Sequence, residues 1–188
     1  FFTQNGKCYR LKVYEIPEGT RASKGRPVQN VISIEPGDII KTYVTAKSIE
    51  DPAYTDSHYV LLATKRGIIK KTNLTEYSNK RSRNKGINAI GIREGDELLD
   101  AILTSGDSQV LLAAKNGRCV RFDEEDARAL GRTASGVRGI NIDDDDEVVS
   151  AVCFNPNHED AAEHTALVVS EHGFGKRTGF DEYRLTNR

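Results

Sequence analysis

The chain of 188 residues contains no tryptophan and no methionine, and its three cysteines are Cys8, Cys119 and Cys153. None of them belongs to a C-x-x-C pair, which predicts small apolar thiols in a reduced compartment. The four histidines lie in polar segments and are not predicted to be ligands or catalytic groups. No apolar run approaches the roughly 18 residues that a membrane helix needs, and no signal peptide is expected. The sequence therefore predicts neither a disulfide scaffold nor a membrane protein.

Motifs of catalysis are also missing, since the chain has no P-loop, no H-E-x-x-H and no G-x-S-x-G. The acidic run Asp143 to Glu147 lacks the alternate spacing and the distal glutamate of a calcium loop, so it is predicted to be a solvated turn. No pair of carboxylates at a spacing suited to acid–base catalysis stands out. The sequence therefore predicts no catalytic site, no metal site and no cofactor in this segment.

What the sequence has instead is an internal repeat. Four turn glycines are predicted, at Gly6, Gly67, Gly117 and Gly173. A cation follows each turn glycine by four residues and an acid follows by nine, at Arg10, Lys71, Arg121 and Arg177 and at Glu15, Glu76, Asp126 and Glu182. A second glycine follows the first three turn glycines by nineteen residues, at Gly25, Gly86 and Gly136. The chain is therefore about three and a half copies of one unit, and is expected to be a piece of something longer.

The four units are placed at roughly 1–54, 55–105, 106–160 and 161–188, within one predicted domain. Strands are expected at 8–13, 28–34 and 39–46, then at 59–64, 68–72, 87–92 and 98–103, then at 110–114, 118–122, 137–142 and 148–154, and finally at 166–170 and 174–178. Asn5 and Gly6 predict a type I′ hairpin turn, which needs two positive φ angles. Residues ten past the turn glycines are expected to pack between units: Ile16, Tyr77, Ala127 and Tyr183.

Four short strands in a period of 50 to 61 residues are typical of a propeller blade. One such blade does not bury both of its faces, so successive blades are expected to stack around an axis. The predicted fold class is all-β, an incomplete propeller-like domain. With an incomplete ring, the strands at 8–13 or 174–178 are expected to lack a full set of partners.

Charge divides the chain into two halves of opposite sign, with a net charge of +8 over residues 1–94 and −9 over residues 95–188. The loop before each second glycine combines cations with hydroxyl groups, as in RASKGR at 21–26, KRSRNKG at 80–86 and RTASGVR at 132–138. Arginine and lysine neutralise phosphates, while hydroxyl and backbone N–H groups add hydrogen bonds. Three such loops at equivalent positions favour a basic rim that binds a polyanion such as DNA. The alternative is that these loops are solvated and bind nothing.

Four stretches resemble hallmark sequences of the C-terminal domain of the DNA gyrase A protein. They are ALGRTASGVRGI at 129–140, GDEL at 95–98 with TSG at 104–106, GIIKKTNLTEY at 67–77, and GFGKRT at 173–178. The resemblance extends over the whole chain and implies a six-bladed β-pinwheel, a relative of the propeller whose blades exchange strands. About three and a half of those blades are present. The resemblance places the glutamine-arginine-glycine-rich box of the family before Phe1 and the last blades after Arg188.

The resemblance further implies that double-stranded DNA wraps around a basic perimeter, which lets the holoenzyme introduce negative supercoils. That holoenzyme is an ATP-hydrolysing type IIA topoisomerase, a heterotetramer of the gyrase A and gyrase B proteins in the bacterial cytoplasm, associated with the nucleoid. ATP and Mg are used in other segments, and no catalytic site is expected in this one. Carried over residue by residue, phosphate contact is assigned first to Lys65, Arg66, Lys70, Lys71, Lys80, Arg81, Arg83 and Lys85. Second-rank candidates are Arg21, Lys24, Arg26, Arg132, Arg138, Lys176 and Arg177.

Two alternatives stay open at this point. The corresponding domain of topoisomerase IV is similar but more degenerate. A propeller-type module whose acidic half binds a basic protein partner belongs to a different class. An enzyme with its site in a propeller channel is disfavoured, because no cluster of acids, bases or metal ligands is present.

Overall fold

The computed structural model describes residues 1–78 and 86–188, which form short strands, one α-helical turn and several 3-10 turns. The strands are β1 (Phe2–Thr3), β2 (Lys7–Cys8), β3 (Ile40–Thr42), β4 (Tyr59–Thr64), β5 (Ile68–Asn73), β6 (Ile87–Asn88), β7 (Leu98–Thr104), β8 (Gln109–Ala114), β9 (Cys119–Asp123), β10 (Val137–Arg138), β11 (Val148–Phe154), β12 (Thr165–Val169) and β13 (Gly175–Gly179). Helix α1 spans Pro52–Asp56. The 3-10 turns are Val13–Glu15, Val28–Asn30, Leu74–Tyr77, Glu124–Asp126, Ala161–Glu163 and Phe180–Glu182. No helix among these is long and apolar enough to cross a membrane.

The strands form antiparallel sheets that exchange a strand between neighbouring units. The sheet orders are β3-β1-β2-β6, then β7-β4-β5-β10, then β11-β8-β9, and last β12-β13. Strand β6 belongs to the second unit, yet Ile87 pairs with Cys8 of the first. Likewise β10 belongs to the third unit, and Val137 pairs with Ile69 of the second. This exchange confirms the predicted all-β pinwheel.

The hairpin turns differ from the type I′ prediction. No residue other than glycine has a positive φ among those described, so Asn5 keeps a negative φ while Gly6 has a φ of 78°. The Gly6 amide donates to the Thr3 carbonyl at 3.0 Å, and the Gly67 amide donates to Thr64 at 3.1 Å. This is a type I turn followed by a left-handed glycine. With Phe2 paired to Cys8, the loop is longer than the two residues of a type I′ hairpin, and in such a loop only the closing glycine needs a positive φ.

Strand predictions were accurate for the inner hairpins of the second, third and fourth units, and wrong for the first unit and for the exchanged strands. In the first unit, the strand expected at 8–13 is only Lys7–Cys8, and the strand expected at 39–46 is only Ile40–Thr42. Tyr59–Thr64 and Val148–Phe154 form strands with the predicted bounds. The expected strands at 87–92 and 137–142 are only two residues long each. They end where the following backbone amides turn toward the preceding unit, with Ala89 donating to the Gly6 carbonyl at 2.8 Å. The expected strand at 28–34 begins instead with a 3-10 turn.

The second unit is covered on both faces by its neighbours. Side chains alternate along β4, so Val60 and Leu62 join one core cluster while Leu61 and Ala63 join the other. Tyr77 and Ala127 are buried, as predicted for packing between units. Ile16 is 47% exposed, and that prediction was wrong for the first unit. Blade packing therefore depends on a neighbour on each side, as in other repeat folds.

The fourth unit ends in a two-stranded sheet. Among the described residues β13 pairs with β12 alone, which confirms the predicted open strand near the end of the chain. Strand β2, by contrast, has β1 on one side and β6 on the other. Phe180 of the fourth unit is buried, whereas Leu167, Val168 and Val169 on β12 are exposed and Phe174 is 80% accessible.

Candidate nucleic-acid interface

The first basic loop is free at the surface. Arg21, Lys24 and Arg26 are all exposed. None of the three makes an ion pair or a side-chain hydrogen bond with any residue in 1–78 or 86–188. Their charges are consequently available to a ligand, which is what a phosphate-binding loop requires.

The densest basic loop is the second one. Its four cations lie outside the described residues: Lys80, Arg81, Arg83 and Lys85. Phosphate contact by these side chains stays a prediction from the sequence.

The third basic loop is fastened to the units before it. Arg132 lies 3.7 Å from the Glu76 carboxylate and donates to the Asn88 carbonyl at 3.3 Å. A side chain on Gly136 would place its Cβ against the Ile69 carbonyl, so this glycine allows backbones to pack and does not clear space for a ligand. Arg138 is exposed and bonds to the Asn141 side chain at 3.0 Å. Of the two arginines, Arg138 is the one that can face a ligand.

The hairpin turn of the second unit is neutralised by acids. Lys65 lies 2.6 Å from Glu97 and 3.4 Å from Glu147. Hydrogen bonding to Lys65 lowers the pKa of Glu97, and the same contact raises the pKa of Lys65. Arg66 donates to the carbonyls of Asp144 at 3.1 Å and Asp146 at 2.8 Å. Both cations are already partnered in this structure, so they are weaker candidates for phosphate contact than the sequence predicted.

The prediction that the acidic run 143–147 is a solvated turn is confirmed for Asp143, Asp144 and Asp145, which are exposed, and was wrong for Asp146. Asp146 is buried, and its carboxylate accepts from the backbone amides of Asn116 at 3.2 Å and Glu147 at 2.9 Å. Asp38 and Asp96 hold the equivalent turns of the first two units in the same way. The sequence signal for this role was an aspartate two residues before the strand that closes each of the first three units.

Lys70 and Lys71 contradict the expectation that they contact phosphate. Lys70 is fully buried, and its ammonium group donates to the carbonyls of Ala89 and Arg132. Burial, reinforced by the charge of Arg132, lowers the pKa of Lys70 to about 8. The Lys71 ammonium donates to the Glu124 carbonyl at 3.1 Å and lies 5.2 Å from the centre of the Tyr59 ring. Neither ammonium group is accessible to a DNA phosphate.

Two of the four repeated acids have the structural roles predicted for them. Glu15 accepts from the Lys12 amide at 2.9 Å and so caps its own 3-10 turn. Glu76 pairs with Arg132, as described above. Within the described part of the chain no cluster of three or more histidine, cysteine or acidic residues is placed to hold a metal ion.

The fourth unit adds two exposed cations, Lys176 and Arg177, on strand β13. The candidates that are exposed in the described ranges are thus Arg21, Lys24, Arg26, Arg138, Lys176 and Arg177. All six came from the second rank of the sequence prediction. The described first-rank residues are paired or buried, because they lie in the strand and turn that join the second unit to the third.

Comparison with known proteins places this geometry in a family. The model of the DNA gyrase C-terminal domain, a β-propeller, matches residues 1–42, 58–105, 108–155 and 164–188. The DNA gyrase A protein of Staphylococcus aureus strain MRSA252 is 43% identical over all 188 residues. The chain spans about a fifth of the length of such relatives, since the match covers 20% of that protein.

Solved structures show the same fold. The C-terminal domain of DNA topoisomerase IV matches with a TM-score of 0.84 and 26% identity, over 100% of this chain and 55% of that one. The DNA gyrase A C-terminal domain matches with a TM-score of 0.79 and 25% identity, over 100% of this chain and 56% of that one. Backbone similarity does not separate these two relatives, whereas the 43% identity is to a gyrase protein.

Proposed function

The chain belongs to the DNA gyrase C-terminal domain family, and on that premise we propose that it binds and bends duplex DNA through the phosphate backbone. The observation that carries the proposal is the first basic loop, where Arg21, Lys24 and Arg26 are exposed and unpaired within the described residues. Equivalent positions in a repeat recur around a pinwheel, so contacts of this kind follow one another along a bound duplex. Backbone contacts of this kind hold DNA without reading its sequence.

The proposed bending follows from the rigid connection between units. The first unit shares a strand and a core with the second, and the second does so with the third, so the cations of these units stand at fixed angles to one another. A duplex that satisfies several such loops has to curve, and the deformation is offset by the extra contacts that it gains. In the longer protein this segment wraps DNA for the ATP-driven introduction of negative supercoils, together with the rest of the gyrase A protein and with the gyrase B protein in the bacterial cytoplasm.

A second candidate is a module for protein interaction, in which the acidic half binds a basic partner. The structure weakens this candidate, because several acidic side chains in the 143–147 turn are engaged with cations of the same chain. Glu147 lies 3.4 Å from Lys65 and 3.7 Å from Lys115, and Asp143 lies 3.8 Å from Arg118. The carboxylates of this turn are therefore partly neutralised before any partner arrives.

Binding of the chain to duplex DNA over a series of salt concentrations tests the proposal. Each cation that neutralises a phosphate adds about −0.9 to the slope of log affinity against log salt on duplex DNA. We expect a steep negative slope, and the same slope for two duplexes of unrelated sequence. Absence of binding even at low salt would contradict DNA binding and favour the protein-interaction module.

A further inference from the structure

The cation four residues after each turn glycine contacts the following unit in three of the four copies. Arg10 donates to the Ser78 carbonyl of the second unit at 2.9 Å. Lys71 donates to the Glu124 carbonyl of the third unit at 3.1 Å. Arg121 donates to the Phe180 carbonyl of the fourth unit at 2.6 Å and to Tyr183 at 2.8 Å. Each acceptor lies in or directly after the short 3-10 turn that follows the inner hairpin of its unit.

The main chain of the same residue forms a second connection to the following unit. The Leu130 amide donates to the Lys71 carbonyl at 2.8 Å, and the Thr186 amide donates to the Arg121 carbonyl at 2.8 Å. These bonds belong to parallel bridges between Lys71 and Ala129 and between Arg121 and Leu185. One residue in each of these two units thus holds its neighbour by both its side chain and its backbone.

We infer that this cation is a positioning residue, which fixes the angle between its own unit and the next. Hydrogen bonds from a cation to carbonyls are about twice as strong as neutral ones, and they are directional. Arg121 makes the most such bonds, because its Nε and Nη2 also donate to Gln109 at 3.0 and 2.6 Å. Its guanidinium lies 5.3 Å from the centre of the Phe154 ring, which in turn stacks on Phe180 of the fourth unit. The Arg121 guanidinium is therefore oriented by contacts within the third unit while it donates hydrogen bonds to the fourth.

The cations of this chain fall into two classes that the repeat pattern alone does not distinguish. Cations of the first basic loop are exposed, whereas Arg10, Lys71 and Arg121 are buried or half-buried against carbonyl groups. The first class offers charge to a phosphate, and the second determines how far apart the charged loops stand. The consequence for DNA curvature rests on the proposed function, while the angle between units does not.

The experiment measures the distance between the third and fourth units without DNA. Spin labels are attached at Ser150→Cys on β11 and at His172→Cys in the last hairpin turn, both exposed positions, in a background with Cys119→Ser and Cys153→Ala. The remaining thiol, Cys8, is buried, and burial raises its pKa to about 11, which disfavours labelling. The chain with Arg121 is expected to give one narrow distance distribution. Arg121→Met should broaden it, because the carbonyls of the fourth unit lose their donor.

Two further variants separate positioning from the mere loss of a charge. Arg121→Lys should restore the narrow distribution, since the second unit itself uses a lysine at this position. Arg128→Met removes the same charge from an exposed position in the same unit and should leave the distribution unchanged. A narrow, unshifted distribution in Arg121→Met, or a broad one in Arg128→Met, would overturn the inference.

A second label pair, at Lys47→Cys and Arg93→Cys, reports whether the first two units keep their arrangement.

If Arg121→Met unfolds the chain, Thr186→Pro serves instead, because it removes the amide that donates to the Arg121 carbonyl. We expect a broader distribution from this variant too, and an unchanged one would count against the inference. Binding of duplex DNA is measured separately. If the chain does not bind DNA, the proposed function fails, but the distance distributions still test whether Arg121 fixes the angle between units.

Discussion

Replacing Lys70 by alanine is expected to lower the free energy of unfolding by about 3 kcal/mol while leaving the salt dependence of DNA binding unchanged. The buried ammonium group donates to the carbonyls of Ala89 and Arg132, and both lose that partner in the variant. An unsatisfied buried polar group costs about 1–3 kcal/mol, and the cavity left by the stem adds to it. Removal of a buried charge offsets part of this loss. Denaturant unfolding measures the difference.

The pH dependence of stability gives an independent reading of the same residue. Burial lowers the pKa of Lys70 to about 8, below the ordinary lysine value of 10.5. Between these values the unfolded chain binds more protons at this site than the folded chain. The free energy of unfolding contributed by Lys70 therefore rises with pH through that window. Lys70→Met, of similar length, should lack this rise, and a variant with wild-type stability at every pH would contradict a buried Lys70.

The second large effect concerns the densest basic loop. Changing Lys80, Arg81, Arg83 and Lys85 together to alanine is expected to make the negative slope of log affinity against log salt shallower. The change is up to about 3.6 if all four side chains contact phosphate. Filter binding on one duplex at several salt concentrations measures the slope for the variant and the wild type. The loss should be the same for unrelated duplexes, because phosphates carry no base information.

A matched variant is available in the first unit. Changing Arg21, Lys24 and Arg26 to alanine removes three exposed charges from the equivalent loop. The negative salt slope should become shallower by up to about 2.7. If the quadruple variant keeps the wild-type slope and affinity while the triple variant does not, the second loop is not part of the DNA-binding surface. Wild-type behaviour of both variants would contradict phosphate binding by either loop.

The fold was largely predictable from the sequence because its strongest signals are local. Each turn glycine has its positive φ and closes a hairpin, and in the second, third and fourth units the hairpin strands have nearly the predicted bounds. The exchanged strands were harder to predict, since Ile87–Asn88 and Val137–Arg138 are defined by a partner in another unit. A strand of two residues is too short to show an alternating pattern of apolar and polar side chains. The bounds of these two strands are therefore set by tertiary contacts and not by the local sequence.

The candidate site was less predictable because charge in a sequence does not reveal its partners. Lys70 and Arg26 both lie in basic segments of the sequence, yet Lys70 is buried against carbonyl groups and Arg26 is exposed. The acidic turn at 143–147 bonds to Arg66 in the fold, although the two acceptor residues lie 78 and 80 positions further along the chain. The repeat did contain one signal of a structural role, since a cation lies four residues after the turn glycine in every unit. A charge at a fixed repeat position indicates a structural role at least as readily as a binding role.

The central claim, that the chain curves DNA around a basic perimeter, is tested most directly on closed circular DNA. The chain is bound to a relaxed plasmid, a nicking-closing topoisomerase removes the strain that remains free, and the linking number is read after the protein is removed. Wrapping is expected to shift the distribution of linking number in proportion to the bound protein, with a smaller shift for the quadruple loop variant. An unchanged distribution at a protein concentration that saturates the same plasmid would contradict wrapping.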